Sequence, residues 1–318
     1  MSPAAAVRPD ATGSVPPPAP GGGGRVPRRR RAASRVAAWW WSLPALALIA
    51  AVHYATTIAG SAYAFTDFNG FRSPEFVGLA NFREILTGAA PLRALLNTVV
   101  IAVAFLVLTN VLGMAFAVAL NRQLKSRYVL RTVLFAPVVL SPLAVSYVWK
   151  FLFQQDGPIN QVLGAVGLES LQRTWLGDPL TVVPAITTVM VWQHIGLTMV
   201  IYLAGLAGVP PENEEAAAMD GAGPWSRFRH VVLPALRPTI LVASTMILVQ
   251  GLRVFDQVQA LTGGGPFGAS DTLATSVYKE TFVNGRFGYG SALALVMTAI
   301  VLLCALVQML LLRERKEK

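Results

Sequence analysis

The stretch Leu95–Leu120, LLNTVVIAVAFLVLTNVLGMAFAVAL, contains no charged residue from one end to the other. A run of about 20 apolar residues is long enough for an α-helix to cross the hydrocarbon core of a bilayer. Comparable, mostly apolar runs occur at Ala38–Tyr63, Leu130–Phe153, Leu180–Leu206, Thr239–Leu261 and Gly290–Leu312. Of the 318 residues, 54% are hydrophobic and only 13% charged, which is too apolar a balance for a soluble exterior. We therefore predict an all-α membrane protein with about six transmembrane helices.

Pro137, Pro142 and Pro184 fall inside the predicted spans. Membrane helices tolerate proline where neighbouring helices satisfy the carbonyl groups that it frees. Because proline also removes a hydrogen bond and crowds the preceding turn, each of the three predicts a kink.

The segment before the first span, residues 1–37, is basic and rich in Pro, Gly and Ala, and we predict a disordered tail. It ends in the arginines Arg28–Arg31 and Arg35, followed by an apolar run. A twin-arginine export signal looks similar, and Ala62-Tyr63-Ala64 resembles a cleavage site. The apolar run is nevertheless long enough to span and further spans follow it, so we favour an uncleaved first helix.

Lys and Arg residues set the orientation, because they accumulate in cytoplasmic loops. They are concentrated in the N-terminal tail, in the loops after the second and fourth runs, and in residues 313–318. Both termini and these two loops are therefore predicted to be cytoplasmic, on either side of a transmembrane domain at residues 38–312. This distribution also accounts for the net charge of +10 better than nucleic-acid binding does.

The fourth loop, residues 207–237, contains the most informative pattern of the chain. Pro211 suits the first turn of a short helix, whose positive end favours the acidic residues that follow. Gly221 can adopt the left-handed conformation that ends a helix, and Pro224 can begin a second one. The loop is thus predicted to form a compact cytoplasmic helix-turn-helix between the fourth and fifth spans.

Glu215-Ala216-Ala217, three residues, Gly221, nine residues, Val231, one residue and Leu233-Pro234 resemble the "EAA" signature of ABC importer permeases. The resemblance implies that this segment is a coupling helix, which docks into a cleft of a separate ATPase subunit. The residues it assigns to that contact are Glu215, Ala216, Ala217, Asp220, Gly221, Leu233 and Pro234.

Other segments resemble the maltose/glycerol-3-phosphate type of sugar permease. They are Gly78–Phe82, Arg253–Asp256, Leu261–Pro266 and Phe287–Ala292. The resemblance implies an inner-membrane subunit of a bacterial or archaeal importer that moves a sugar or sugar-like solute, of the oligosaccharide or glycerol-phosphate class. It also implies a homologous second permease, two copies of the ATPase and an extracytoplasmic solute-binding protein. An amino-acid ABC permease and an ion-coupled secondary transporter are the alternatives.

No Gly-Lys dipeptide occurs in the chain, so a phosphate-binding Walker A loop is excluded. ATP and Mg²⁺ are therefore expected on the partner ATPase, and the chain itself is expected to be neither an enzyme nor a cofactor-binding protein. The lone Cys304 and three scattered histidines support neither a metal site nor a catalytic triad.

Polar residues within membrane spans are costly and often mark a transport path. The candidates that we select in the predicted spans are His53, Asn110, Gln193, His194, Gln250, Arg253 and Asp256. Gln193, His194, Gln250, Arg253 and Asp256 are the candidates for the solute path. Interhelical hydrogen bonds are the other interpretation of Gln193 and His194. Arg253 and Asp256, three residues apart on one predicted helix, are placed to form a local ion pair.

Overall fold

The computed structural model describes residues 29–121 and 125–312, and the side chains of residues 40–121 and 125–310. The predictions for residues 1–28 and for the C-terminal tail, residues 313–318, lie outside the described residues. The chain divides into two units, residues 1–56 and residues 57–318. Their boundary falls within the first helix, α1 (Arg29–Tyr63).

Helix α1 begins at Arg29, inside the segment that was predicted to be a disordered tail. Arginine and alanine, which dominate residues 29–38, are among the better helix formers. Once a membrane span has nucleated a helix, each added residue gains a hydrogen bond without a new nucleation cost. The helix therefore extends beyond the apolar run that defines the span.

The remaining helices of the described chain are short connecting segments and long spans. They are α2 (Ala80–Thr87), α3 (Ala89–Leu120), α4 (Arg127–Val139), α5 (Pro142–Leu152), α6 (Pro158–Ala165), α7 (Val182–Leu206), α8 (Pro211–Met219), α9 (Pro224–Arg227), α10 (Leu233–Ala235), α11 (Arg237–Leu252), α12 (Asp256–Leu261), α13 (Leu273–Tyr278) and α14 (Phe287–Leu312). Two π-helical turns, Phe228–Val232 and Lys279–Val283, and a 3₁₀ turn, Glu169–Leu171, complete them.

Among the described residues, 4 helices are long and apolar enough to cross a membrane, and the number rises to 6 if each of two bent helix pairs is one span. The single helices are Trp40–Tyr63 of α1, α3, α7 with Ala207, and Phe287–Leu310 of α14. The bent pairs are α4 with α5 and Pro224–Ala235 with α11. The predicted class, an all-α membrane protein with about six spans, is confirmed.

Helix α7 is the centre of the second unit, packed against α3, α4 and α11. Glycine permits the closest of these approaches. A Cβ atom on Gly196 of α7 would overlap the backbone carbonyl of Leu134 in α4. A Cβ atom on Gly113 of α3 would lie 2.8 Å from Thr198 Cγ2, and one on Gly251 of α11 would lie 2.9 Å from Ala102 Cα. Small residues let membrane helices pack backbone against backbone, and here they fix three interfaces.

The third predicted span, Leu130–Phe153, is not one helix. It breaks after Val139, and α4 and α5 enclose a bend of 102°. Proline restricts the residue before it to extended backbone, and Ser141, before Pro142, has φ −64° and ψ 142°. The Ser141 hydroxyl then accepts a hydrogen bond from the backbone N–H of Ala144 at 3.2 Å, which caps α5.

The fifth predicted span, Thr239–Leu261, is also interrupted. Helix α11 ends at Leu252, and α12 begins only at Asp256. The hydroxyl of Thr272 donates a hydrogen bond to the carbonyl of Val254 at 3.0 Å, within the break. The prediction of a continuous helix was wrong because the length of an apolar run does not show which backbone groups a distant side chain can satisfy.

Pro184, where a kink was predicted, does not interrupt its helix. It is the third residue of α7, which runs unbroken from Val182 to Leu206. The N–H groups of the first turn have no intrahelical acceptor, so proline removes no hydrogen bond there.

Candidate functional site

A cavity of about 370 Å³ lies at the break between α11 and α12. Its lining contains three of the five predicted solute-path residues, Gln250, Arg253 and Asp256, together with Phe255 and Gln257. The apolar remainder of the lining is Pro142, Met190, Met246, Val249 and Val254. The cavity thus adjoins both broken spans, since Pro142 begins α5 and Arg253 follows α11.

Gln193, a fourth candidate, lies on α7 and is buried. Its Nε2 donates a hydrogen bond to the backbone carbonyl of Leu140 at 3.0 Å, and its Oε1 accepts one from Gln257 Nε2 at 3.2 Å. Leu140 is at the bend of the third span, and Gln257 lies in α12. One amide therefore joins both broken spans to the central helix.

His194, the fifth candidate, is buried beside Gln193. Its Nδ1 lies 2.9 Å from the carbonyl oxygen of Met190, which can only accept a hydrogen bond, so Nδ1 carries the proton. Its Nε2 is then an acceptor, and Gln250 Nε2 lies 2.7 Å from it. The ring of Phe105 meets the imidazole edge to face, with centroids 5.3 Å apart. These contacts fix the tautomer and orientation of His194 behind the cavity wall.

The local ion pair predicted between Arg253 and Asp256 is wrong. Arg253 caps the end of α11 and Asp256 begins α12, so the two residues do not share a helix. In the part of the chain that the structure describes, the ion pairs are Lys279–Asp271 at 2.7 Å, Arg286–Glu84 at 2.7 Å and Arg286–Glu280 at 3.4 Å. Both charged groups of the broken helix are instead exposed at the cavity.

Arg286, before the last span, binds the carboxylate of Glu84 with Nη2 at 2.7 Å from both oxygens. Partial burial disfavours the charged guanidinium. The hydrogen bond from Arg286 to Glu84 and the negative charges of Glu84 and Glu280 nevertheless raise the pKa of Arg286 above its ordinary value. Arg286 is therefore a permanent cation that ties α2 to the start of α14.

Two further polar residues of the predicted spans lie away from the cavity lining. Asn110 of α3 accepts a 2.6 Å hydrogen bond from the hydroxyl of Tyr202 on α7, which joins two spans. His53 lies on α1 in the first unit.

Gln257 and Phe255 complete the site, although neither was a sequence-based candidate. Gln257 is a buried polar residue within an apolar run, which is the signal that selected Gln250 seven positions earlier. The role of Phe255 depends on the break after Leu252, which hydropathy does not reveal. The Leu140 carbonyl likewise lies at an interruption, the bend of the third span, where it accepts the hydrogen bond from Gln193.

The fourth loop has the predicted helix-turn-helix conformation. Helix α8 spans Pro211–Met219 with Glu212 and Glu214 in its first turn, and α9 begins at Pro224. Gly221 has φ +80°, in the left-handed region. The N–H of Ala222 donates to the Ala217 carbonyl at 3.0 Å and that of Gly221 to the Ala218 carbonyl at 3.1 Å, which is a Schellman motif.

The residues that the resemblance assigned to coupling have the following surroundings. Glu215, Ala216, Asp220, Gly221 and Pro234 are exposed, whereas Ala217 and Leu233 are half-buried. The apolar side chains of Met219 and Trp225 are 89% and 71% exposed on the same loop. A cavity of about 220 Å³ lies beneath it, lined by Glu214, Arg227 and Phe228 together with Val118, Asn121, Leu206, Pro224 and Val232. The loop therefore combines exposed acidic and apolar groups on a rigid turn next to the ends of α3 and α7.

No group of three or more His, Cys, Asp or Glu residues able to hold a metal ion occurs within residues 29–121 and 125–312. What the geometry contains is a polar cavity among broken apolar helices, and an exposed helix-turn-helix between two spans. These features define a polytopic membrane transport subunit.

Residues 109–316 match the family of binding-protein-dependent transport system inner membrane components, and the chain belongs to this family. It is 35% identical over 264 residues to the multiple sugar-binding transport system permease protein of Streptococcus mutans, covering 83% of this chain and 90% of that protein. It is 33% identical over 244 residues to the trehalose/maltose transport system permease protein of Thermococcus litoralis, covering 76% and 81%.

A solved structure has the same fold. The bacterial alginate ABC transporter in complex with an alginate pentasaccharide-bound periplasmic protein contains a chain with a TM-score of 0.77 and 21% identity. The match covers 92% of this chain and 99% of that one. By its family and its relatives, the chain is an inner-membrane permease component of an ABC importer, a transport subunit rather than an enzyme.

Proposed function

We propose that this permease passes a sugar or sugar-like solute, of the oligosaccharide or glycerol-phosphate class, through the cavity at the α11–α12 break. The observation that carries the proposal is the convergence of Gln250, Arg253 and Asp256 on one cavity of about 370 Å³. Amide, guanidinium and carboxylate groups together offer donors and acceptors, which a polyhydroxylated solute requires. The names of the two relatives, both saccharide permeases, support the oligosaccharide class.

Gln193 and His194 are proposed to act on the path from behind the cavity wall. Gln193 bonds Gln257 and the Leu140 carbonyl, and His194 bonds Gln250. A shift of α7 relative to either broken span would change these hydrogen bonds. The arrangement suits alternating access, in which the broken helices reorient around a site whose polar groups are satisfied in each state.

Transport energy is proposed to enter through the helix-turn-helix of α8 and α9. Glu215, Ala216, Ala217, Asp220, Gly221, Leu233 and Pro234 are the proposed contacts with a separate ATPase that binds ATP and Mg²⁺. The exposure of Met219 and Trp225 supports docking, because large apolar side chains gathered on one surface often mark a protein interface. Only three residues separate the last residue of α7 from Pro210, so a displacement of α8 reaches the central helix directly.

The proposed assembly contains this chain, a homologous second permease, two ATPase copies and an extracytoplasmic solute-binding protein in a bacterial or archaeal inner membrane. Both termini and the α8–α9 loop would face the cytoplasm. An amino-acid solute is the alternative.

The test is uptake by proteoliposomes that contain the complete importer, expressed from the operon that encodes this chain. Radiolabelled gluco-oligosaccharides of two to seven units, glycerol 3-phosphate and a mixture of amino acids are supplied in separate arms. ATP-dependent accumulation of an oligosaccharide supports the proposal. Accumulation of amino acids alone overturns the solute class, and vanadate-sensitive ATP hydrolysis by the purified chain overturns its role as a pure permease.

A further inference from the structure

Six aromatic rings form a continuous row that starts at the cavity. The centroid distances are 5.4 Å for Phe255–Tyr278, 5.6 Å for Tyr278–Phe282, 6.3 Å for Phe282–Phe287, 5.8 Å for Phe287–Phe68 and 4.7 Å for Phe68–Tyr63. The rings come from distant parts of the chain, from the end of α1 to the start of α14. Only Phe255 lines the cavity, so the row extends away from it.

The row is not part of the hydrophobic core. None of its six rings is buried, whereas Phe105, Phe153 and Tyr289 are. Phe282, in the middle of the row, is 69% exposed, and Tyr278 and Tyr63 are each 38% exposed. Phe68, Phe255 and Phe287 are half-buried, so the exposed faces of the row are those of Tyr63, Tyr278 and Phe282, which bury less surface than aromatic side chains in a core do.

Charged groups flank the row where hydrocarbon would otherwise lie. Phe282 belongs to the π-helical turn Lys279–Val283, with Glu280 before it and Arg286 after it. Arg253 and Asp256 adjoin Phe255 and take part in none of the ion pairs of the described chain. Because charges in contact with lipid tails are expensive, this surface faces water or a polar partner rather than the bilayer core.

We propose that the row is a binding track for the rings of a saccharide chain, leading into the cavity. The faces of a pyranose ring carry C–H groups, which pack on the negative face of an aromatic ring, while its hydroxyl groups point outward. Arg253 and Asp256, which adjoin the first ring and take part in no ion pair of the described chain, offer groups that can hydrogen-bond those hydroxyls. The inference rests on the proposed saccharide transport and adds an extended site outside the cavity. Its occupant is a chain of several sugar units, because a single unit cannot cover several rings.

The test uses the complete importer in proteoliposomes, with the binding protein saturated, so that the uptake rate reports steps after delivery. Phe282→Leu removes the ring but keeps an apolar side chain, and Phe282→Trp restores an aromatic face. Phe151→Leu is the matched control, since Phe151 is 58% exposed and contacts no ring of the row. The probes are the shortest and the longest gluco-oligosaccharide that the wild type imports.

Phe282→Leu is expected to lower the maximal uptake rate of the longer chain on the order of three- to tenfold, from the loss of one aromatic stacking contact. The shorter chain should be affected less, and Phe282→Trp should recover the rate. Equal rates for Phe282→Leu and wild type overturn the track. Loss of the second permease during purification of the Phe282→Leu importer would also overturn the track, because the row would then be a subunit interface. If the wild type imports no saccharide, the proposed function fails, and the track fails with it.

Discussion

Gln250 Nε2 lies 2.7 Å from His194 Nε2, and this contact joins α11 to α7 at the wall of the cavity. Because His194 Nδ1 donates to the Met190 carbonyl, Nε2 has its lone pair free for Gln250. The same imidazole is held edge to face by Phe105 of α3. Three spans therefore meet at one buried histidine, 4% exposed.

Replacing Gln250 by leucine is expected to destabilise the permease and to lower uptake. The substitution leaves a buried acceptor without a partner, which costs about 1–3 kcal/mol. Thermal unfolding in detergent, followed by intrinsic fluorescence, measures the first effect. Gln154→Leu, at an exposed glutamine, is the control and should unfold like the wild type. An unchanged melting temperature for Gln250→Leu would mean that the bond to His194 contributes nothing.

Gly196→Ala is expected to destabilise the contact between α7 and α4. The added Cβ would overlap the Leu134 carbonyl, and forced overpacking costs roughly 1–3 kcal/mol. Membrane abundance and melting temperature should both fall. Gly60→Ala provides the control, because no atom lies within 4 Å of a Cβ there and alanine is the better helix former. Similar behaviour of the two variants would contradict the close approach.

Gly221→Val is expected to abolish uptake while the protein still inserts at normal abundance. At φ +80° a branched side chain costs roughly 1–2 kcal/mol, and the strain falls on a loop outside the spans. Gly223→Ala is the control within the same loop, since Gly223 has φ −66° and open space around it. The readouts are uptake and co-purification of the ATPase.

Glu215→Arg is expected to have the same effect as Gly221→Val by a different route. It reverses an exposed charge at the proposed docking surface without touching a span. Import at the wild-type rate by both variants would show that this loop is not the coupling element.

Reporter fusions check the orientation. A fusion after Gly223 should read cytoplasmic and a fusion after Gly265 external, because basic residues are concentrated in the loop after the fourth predicted span. The fusion after Gly265 serves as the reference for the opposite side. A periplasmic signal from the Gly223 fusion would remove the basis for ATPase docking there.

The sequence predicted local features better than it predicted the continuity of helices. Pro211, Gly221 and Pro224 each constrain their own backbone, so the helix-turn-helix could be deduced residue by residue. Pro142 predicted the bend near Leu140, but the Leu140 carbonyl is bonded by Gln193 and the Val254 carbonyl by Thr272, and both partners are distant in sequence. Hydropathy averages over a window and cannot detect such partners.

For the candidate site, too, the sequence predicted individual residues better than their geometry. Gln250, Arg253 and Asp256 were selected because polar groups in apolar runs are expensive, and the cavity contains all three. Their predicted geometry was wrong, since an ion pair on one helix requires a helix that the structure interrupts. The aromatic row could not be predicted either, because its members come from three separate stretches of the chain, residues 63–68, 255 and 278–287.

The glycine contacts of α7 also have a mechanical consequence. Gly196 meets the Leu134 backbone with no side chain between the helices, and Gly113 meets only the short, β-branched side chain of Thr198, so little can absorb a displacement. Helices α3, α4 and α7 should consequently move as one rigid body, with α8 at one end. A small push on that end would then be delivered nearly undiminished to the opposite side of the bilayer.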